Sequence, residues 1–411
     1  MLTRRSFIQG SALVSLGALV PPIFRQAAAV RLLDGVAYAA TLTRTLIIVQ
    51  LAGGNDGLNT VVPLADGAYR SARPKLAVPE DTVLRLNERA GLHPNLAPLL
   101  PLWQAGQLAI VEGVGYPNPN LSHFVSMHVW QTADPEGKAR DGWAGRYLAD
   151  IEKQQHDPFH GFNVGTGMAP EMNANGTASI AANSAEDYSL QTGSRDPADD
   201  QKREQTLLKL YESYPREASY GALLETTVED AMQSSQKVQD VSSAYKPAVT
   251  YPADRLGSAL QFLASVVVSG QEVRVGHVTL GGFDTHSQQA ADHDALLTSV
   301  ANGLTALQQD LEAHGKADDV VVMTWSEFGR RPGENASAGT DHGTAAPLFV
   351  LGKPVKGGFY GEPPSLTKLD TNGNLQFITD FRSVYATLLE KWLQADSRTL
   401  LGAQYPQLAF L

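Results

Sequence analysis

Apolar positions along this chain gather in short unbroken runs of strand length, set between longer stretches with helical spacing. Residues 45–51 (TLIIVQL), 107–112 (QLAIVE), 272–280 and 320–323 read as strands, and apolar character resumes at 348–351. Helical patterns cover 125–132, 143–151, 196–212, 222–242, 253–269, a stretch ending near His314, and the amphipathic closing segment 380–394. Residues 91–105 suit a short helix broken by prolines, and 357–366 (GGFYGEPPSL) a hairpin edge. The order predicts an α/β fold with a mainly parallel central sheet flanked by helices. The charged, aromatic-poor segment at about 191–250 reads as a helical insertion over a single domain spanning 41–411, either a lid or a partner surface.

Three of the strand runs end in polar clusters, the place where open α/β sheets present ligands. The first run passes into Gly53-Gly54-Asn55-Asp56-Gly57, either a tight turn or an acid placed at the sheet edge. The third passes into Gly281-Gly282-Phe283-Asp284-Thr285-His286. Residues two apart on an extended segment share a side, so Asp284 and His286 can reach one ion, although Asp284 also suits a helix cap. The fourth passes into Glu327, Arg330 and Arg331, then a Gly-, Asn- and Ala-rich loop, then Asp341-His342. Ser122 stands at the start of the helical stretch after the second strand, as a cap or as an activated hydroxyl, with His123 and His128 beside it, each open as a ligand, a phosphate-side contact or a plain loop histidine. Asp141 and Arg146 are further polar candidates, whereas His293 and Asp292 read as solvated helix surface.

Composition narrows the chemistry. The 411 residues carry a net charge of −11, which disfavours nucleic acid as a partner. Cysteine is absent, which removes disulfides, thiolate metal sites and cysteine nucleophiles. The oxygen and nitrogen donors Asp56, Asp284, His286, Glu327 and His342 suit one or two divalent ions: Zn²⁺, Mn²⁺, Mg²⁺ or Ca²⁺. Two ions would activate Ser122 and hold a phosphoryl or sulfuryl oxygen, with Arg330 clamping the remaining oxygens. No GxGxxG, GK[ST] or G-x-S-x-G motif points to a dinucleotide, phosphate-loop or classical serine hydrolase site.

The N-terminus has the layout of an export signal. Arg4-Arg5 within TRRSFI forms a twin-arginine pattern, an apolar segment spans 11–24, and small residues follow at 27–29 and 37–40. Cleavage near either small-residue cluster is compatible with the pattern. The apolar run is shorter than the roughly 20 residues a membrane span needs. The expectation is a folded protein passed to the twin-arginine translocase, hence periplasmic or secreted, without a permanent span.

Taken in order, the twin-arginine start, LAGGNDGLNT, NLSHF, GGFDTH, WSEFGRR and TDHGTAAP resemble the exported bacterial family called domain of unknown function 1501. That family is similar to the alkaline phosphatase and sulfatase superfamily. The resemblance covers nearly the whole mature chain. It implies an alkaline-phosphatase-like three-layer sandwich with a bimetal site that hydrolyses phosphate or sulfate esters, small or polymeric. Ser122 then stands at the nucleophile position, and Asp56 at the acid after the first strand. Asp284, His286 and His342 resemble the ligands of one metal, and Glu327 the carboxylate of the other. Three features depart from the superfamily pattern. Phe328 replaces a histidine, Asp284 and His286 are two apart rather than four, and the sulfatase Cys/Ser-x-Pro-Ser-Arg signature is missing.

Overall fold

The computed structural model describes residues 44–188, 197–213 and 221–411; residues 1–40, read above as an export signal, lie outside them. The main sheet has nine strands: β1 (Thr45–Ala52), β2 (Leu108–Gly115), β3 (Gly161–Val164), β4 (Ile180–Ala182), β5 (Val275–Gly281), β6 (Val320–Trp325), β7 (Ala346–Leu351), β8 (Gly358–Tyr360) and β9 (Thr379–Asp380). Their order is β8-β2-β7-β6-β1-β5-β3-β4, with β9 also paired to β2. Only β7 runs against the rest, being antiparallel to both β6 and β2. The segment expected to form a hairpin edge instead supplies β8, whose partner β2 is parallel to it and remote in sequence.

Alternation along the central strand separates two apolar layers. Ile47, Val49 and Leu51 of β1 pack on one face with Leu260, Leu263, Leu304 and Leu307. Leu46 and Ile48 point the other way, into a layer containing Trp130, Trp143, Phe381 and Tyr385. The helices supplying these side chains are α1 (His123–Thr132), α2 (Trp143–Glu152), α5 (Arg255–Val268), α6 (Gln289–Ala313) and α7 (Phe381–Thr387). Burial on both faces explains why apolar residues dominate the strand runs. The closing helix is shorter than its amphipathic pattern, because Leu388–Trp392 continues as a π-helical turn.

Within the span read as an insertion lie α3 (Pro197–Glu212) and α4 (Gly221–Ala244). The chain leaving α4 is tied to α6 through buried Asp310, which accepts hydrogen bonds from the Tyr251 hydroxyl at 3.0 Å and the Ala248 amide at 2.8 Å. Residues 44–411 form one compact unit, and none of the described helices is long and apolar enough to cross a membrane.

Candidate metal centre

The turns after β1, β5 and β6 meet at the carboxyl edge of the sheet because the three strands are adjacent and parallel. Gly53, in the left-handed region at φ 122°, lets the first turn press against the second: a Cβ there would lie 2.5 Å from the Asp284 nitrogen. Helix α1 brings its N-terminus to the same edge. Buried Ser126 on α1 donates to the carbonyl of Glu327 and is hydrogen bonded to the Tyr116 hydroxyl, which docks the helix on the β6 turn.

This docking converges three side chains. His123, Asp284 and His342 each offer a ligand atom, all within 4.8 Å of one another. Their tautomers are set from behind. The Nδ1 of His123 is 2.6 Å from Oε1 of fully buried Glu327, and that carboxylate also accepts from the Gly53 amide at 2.9 Å. The Nδ1 of His342 is 2.7 Å from the Leu121 carbonyl and must donate its proton there. Both histidines therefore aim an Nε2 lone pair at Asp284. His123 Nε2 is buried without a hydrogen-bond partner and lies 3.4 Å from Asp284 Oδ2. His342 Nε2 is 3.1 Å from Asp284 Oδ1. His286 joins at the rim, its Nε2 2.9 Å from His342 Nε2 and 3.0 Å from Asp284 Oδ1.

Burial raises the Asp284 carboxyl, but the Arg330 hydrogen bond and the charges of Arg330 and His286 outweigh it and bring the pKa down to about 2. The carboxylate is thus ionised at any working pH. Two backed imidazoles, an ionised carboxylate and a third imidazole at the rim form a borderline nitrogen and oxygen donor set. With one inward nitrogen left unpartnered, this set fits a divalent ion.

The site differs from the sequence expectation in four places. Asp56 is withdrawn from the edge: its carboxylate pairs with buried Arg73 at 2.6 Å and accepts from Gln289 at 2.5 Å. Its burial raises the pKa, yet the Arg73 and His293 charges outweigh this and hold it below the usual range. Glu327 acts behind His123 rather than on a second ion, and among the described residues no second donor set forms at this edge. Arg330, expected to clamp substrate, is 1% exposed and binds the carbonyls of Gly53, Gly54, Phe283 and Thr340 as well as Asp284. It staples the loops together, with most of its donors committed to the frame. His293 is buried, not solvated, with Nε2 2.9 Å from Asn55 Oδ1.

Ser122 is exposed at the N-cap of α1 and its side chain makes no capping hydrogen bond. Phe328 lies under the histidines, ring centroids 4.9 Å from His123 and 4.6 Å from His342. Asp341 sits at the outer rim, 3.4 Å from His286 Nδ1. His128 is outside the convergent group, and Arg146 binds the carbonyls of Thr132, Asp141 and Leu400 elsewhere. Sequence reasoning left His123 open between a ligand and a plain loop histidine, since its partner Glu327 is 204 positions away.

Residues 108–401 match the family described as "Protein of unknown function (DUF1501)", which is well over half of the 411 residues, and the chain belongs to that family. No curated protein matches it. Among solved structures it is similar to the PsFucS1 sulfatase from Pseudoalteromonas sp., with TM-score 0.36, 13% identity, and coverage of 93% of this chain and 72% of that one. It is also similar to the lipoteichoic acid synthase LtaP from Listeria monocytogenes, with TM-score 0.33, 10% identity, and coverage of 90% and 74%. These are distant likenesses; the mixed α/β architecture rests on the strand pairing described above.

Proposed function

We propose that this member of the DUF1501 family is an exported, metal-dependent hydrolase of phosphate or sulfate esters with Ser122 as nucleophile. The observation that carries the reading is the buried, unpartnered His123 Nε2 facing Asp284 and His342. A divalent ion held by these residues, with His286 at the rim, would supply polarisation of an ester oxygen. Zn²⁺ or Mn²⁺ fits the nitrogen-rich set better than Mg²⁺ or Ca²⁺. Ser122 stands free at the start of a ten-residue helix, where the first amides favour developing negative charge on its oxygen. His286, exposed at the rim, is the group assigned to carry a proton to solvent. Glu327 and Arg330 position: one orients His123, the other fixes the Asp284 turn. Export by the twin-arginine translocase to the periplasm or medium rests on residues 1–40 alone.

The experiment is hydrolysis of generic aryl phosphates and aryl sulfates by the purified protein and by Ser122→Ala. The variant should lose turnover and keep its metal. Because the side chain makes no capping bond, its stability should change by less than the roughly 1 kcal/mol of a lost cap. Retained turnover removes Ser122 from its role. A second reading, a secreted binding or assembly protein without turnover, is favoured by one observation: Arg330 and Asp56 are both committed to the frame. Full metal occupancy with no ester hydrolysis would decide for it.

A further inference from the structure

A second group of ligating side chains lies at the opposite, amino edge of the sheet and has no part in the proposed reaction. Asp157 and His160 belong to the turn entering β3, and Glu272 precedes β5. The parallel pairing of β3 and β5 sets Gly161 against Val275, so the residues ahead of each strand fall side by side. The Arg274 amide closes the arrangement with a 2.9 Å hydrogen bond to the His160 carbonyl. One ligand atom from each of Asp157, His160 and Glu272 lies within 4.8 Å of the others.

Two features make this more than a pair of acids. The His160 residue is 4% exposed, yet its Nδ1 is buried without a hydrogen-bond partner, and its Nε2 faces Glu272 Oε2 at 3.6 Å. A buried imidazole in that condition is costly unless something else meets it. In addition, neither carboxylate has a lysine or arginine partner among the described residues. Asp157 uses one oxygen to cap Phe159 at 2.9 Å, and Glu272 accepts only a long 3.4 Å bond from Gln155. Two carboxylates without a lysine or arginine partner among the described residues, set beside a buried imidazole with an orphaned nitrogen, make an oxygen and nitrogen donor set that suits a cation.

We infer that Asp157, His160 and Glu272 bind a second divalent cation of the Zn²⁺ or Mn²⁺ class, completed by water. The site is a brace. It joins the α2–β3 connection to the start of β5, on the turn against which α4 packs. The same connection carries His156, whose Nε2 reaches Asp230 of α4 at 2.8 Å.

The test is anomalous diffraction at the zinc edge from crystals of the full chain grown with Zn²⁺, paired with zinc titration of the metal-stripped protein in solution. The expected result is an anomalous peak bonded to Asp157, His160 and Glu272, separate from any peak at His123. In solution His160→Gln should bind one equivalent fewer than wild type while keeping ester turnover, if the protein has any, unchanged. Zinc seen at His123 but not at His160, or a water there with no anomalous signal, overturns the inference. So does a crystal peak with no equivalent lost by the variant, which would mean binding at crystal concentration only. Because the diffraction arm uses unmutated protein, a folding defect in the variant leaves the question decidable.

Discussion

At the scale of single residues, the arginine is the informative case. Arg330 has the sequence setting of an anion clamp, following a strand-end carboxylate, yet it is buried and bonds the carbonyls of Gly53, Gly54, Phe283 and Thr340 together with Asp284. Arg330→Ala should therefore destabilise the fold by about 1–3 kcal/mol, the usual cost of leaving buried acceptors unsatisfied. Chemical denaturation reads this directly. A variant of near wild-type stability that has lost only substrate affinity would restore the clamp. The same ambiguity hid the role of Asp56. Sequence places it correctly after the first strand, but its neighbour Arg73 is 17 positions on and no local pattern announces the pair. That Asp284, His286 and His342 come together at one edge was legible, because strand-end Asp-x-His and Asp-His clusters are placed by backbone geometry. His123 was not, because its meaning depends on Glu327 and on the way α1 docks.

At the scale of elements, the five longer strands and most helices could be read from apolar runs, since burial on both faces leaves a strong signal, whereas β3 and β4 went unread. The shortest elements escaped. β8 and β9 are three and two residues long and owe their places to β2, a partner far away in sequence. Attachment of the helical insertion was equally silent, and His156 supplies a test of it. Hydrogen bonds to Asp230 and then to Glu152 raise its pKa to about 9. A raised histidine pKa means the folded form holds the proton more tightly. The contribution is complete below about 6.5, the unfolded value, and is lost as pH rises through about 9. Amide exchange in Gly221–Ala244 should be faster in His156→Gln than in wild type at pH 6, and equal in the two above pH 9. A difference that persists at pH 10 would show that packing, not the charged contact, holds α4.

At the scale of the whole molecule, the fold presents one polar cluster at each end of a parallel sheet and buries the polar residues between them. That arrangement gives a defined acid limb to the stability curve. Burial first, against the attraction of Asp56, brings His293 down to about 4. It is neutral in the folded chain but takes a proton once unfolded. Its contribution is therefore complete above about 6.5 and lost as pH falls toward 4. Denaturation midpoints measured at intervals between pH 7 and 4 should decline, and His293→Gln, which keeps a donor for Asn55, should flatten the decline. An unchanged slope in the variant would assign the acid limb to the carboxylates instead. Asp284 contributes its own loss only lower, as pH approaches about 2.

The central claim is that His123, Asp284 and His342 hold a divalent ion at the carboxyl edge, and the most direct measurement is metal content with affinity. Protein purified after export and dialysed against Zn²⁺ or Mn²⁺ should retain metal at this centre, and removing it with chelator should lower the melting temperature. His342→Ala should lose that equivalent while leaving the one assigned to His160. A wild-type protein that carries no metal there, with a melting temperature indifferent to chelator and to added Zn²⁺ or Mn²⁺, would contradict the account.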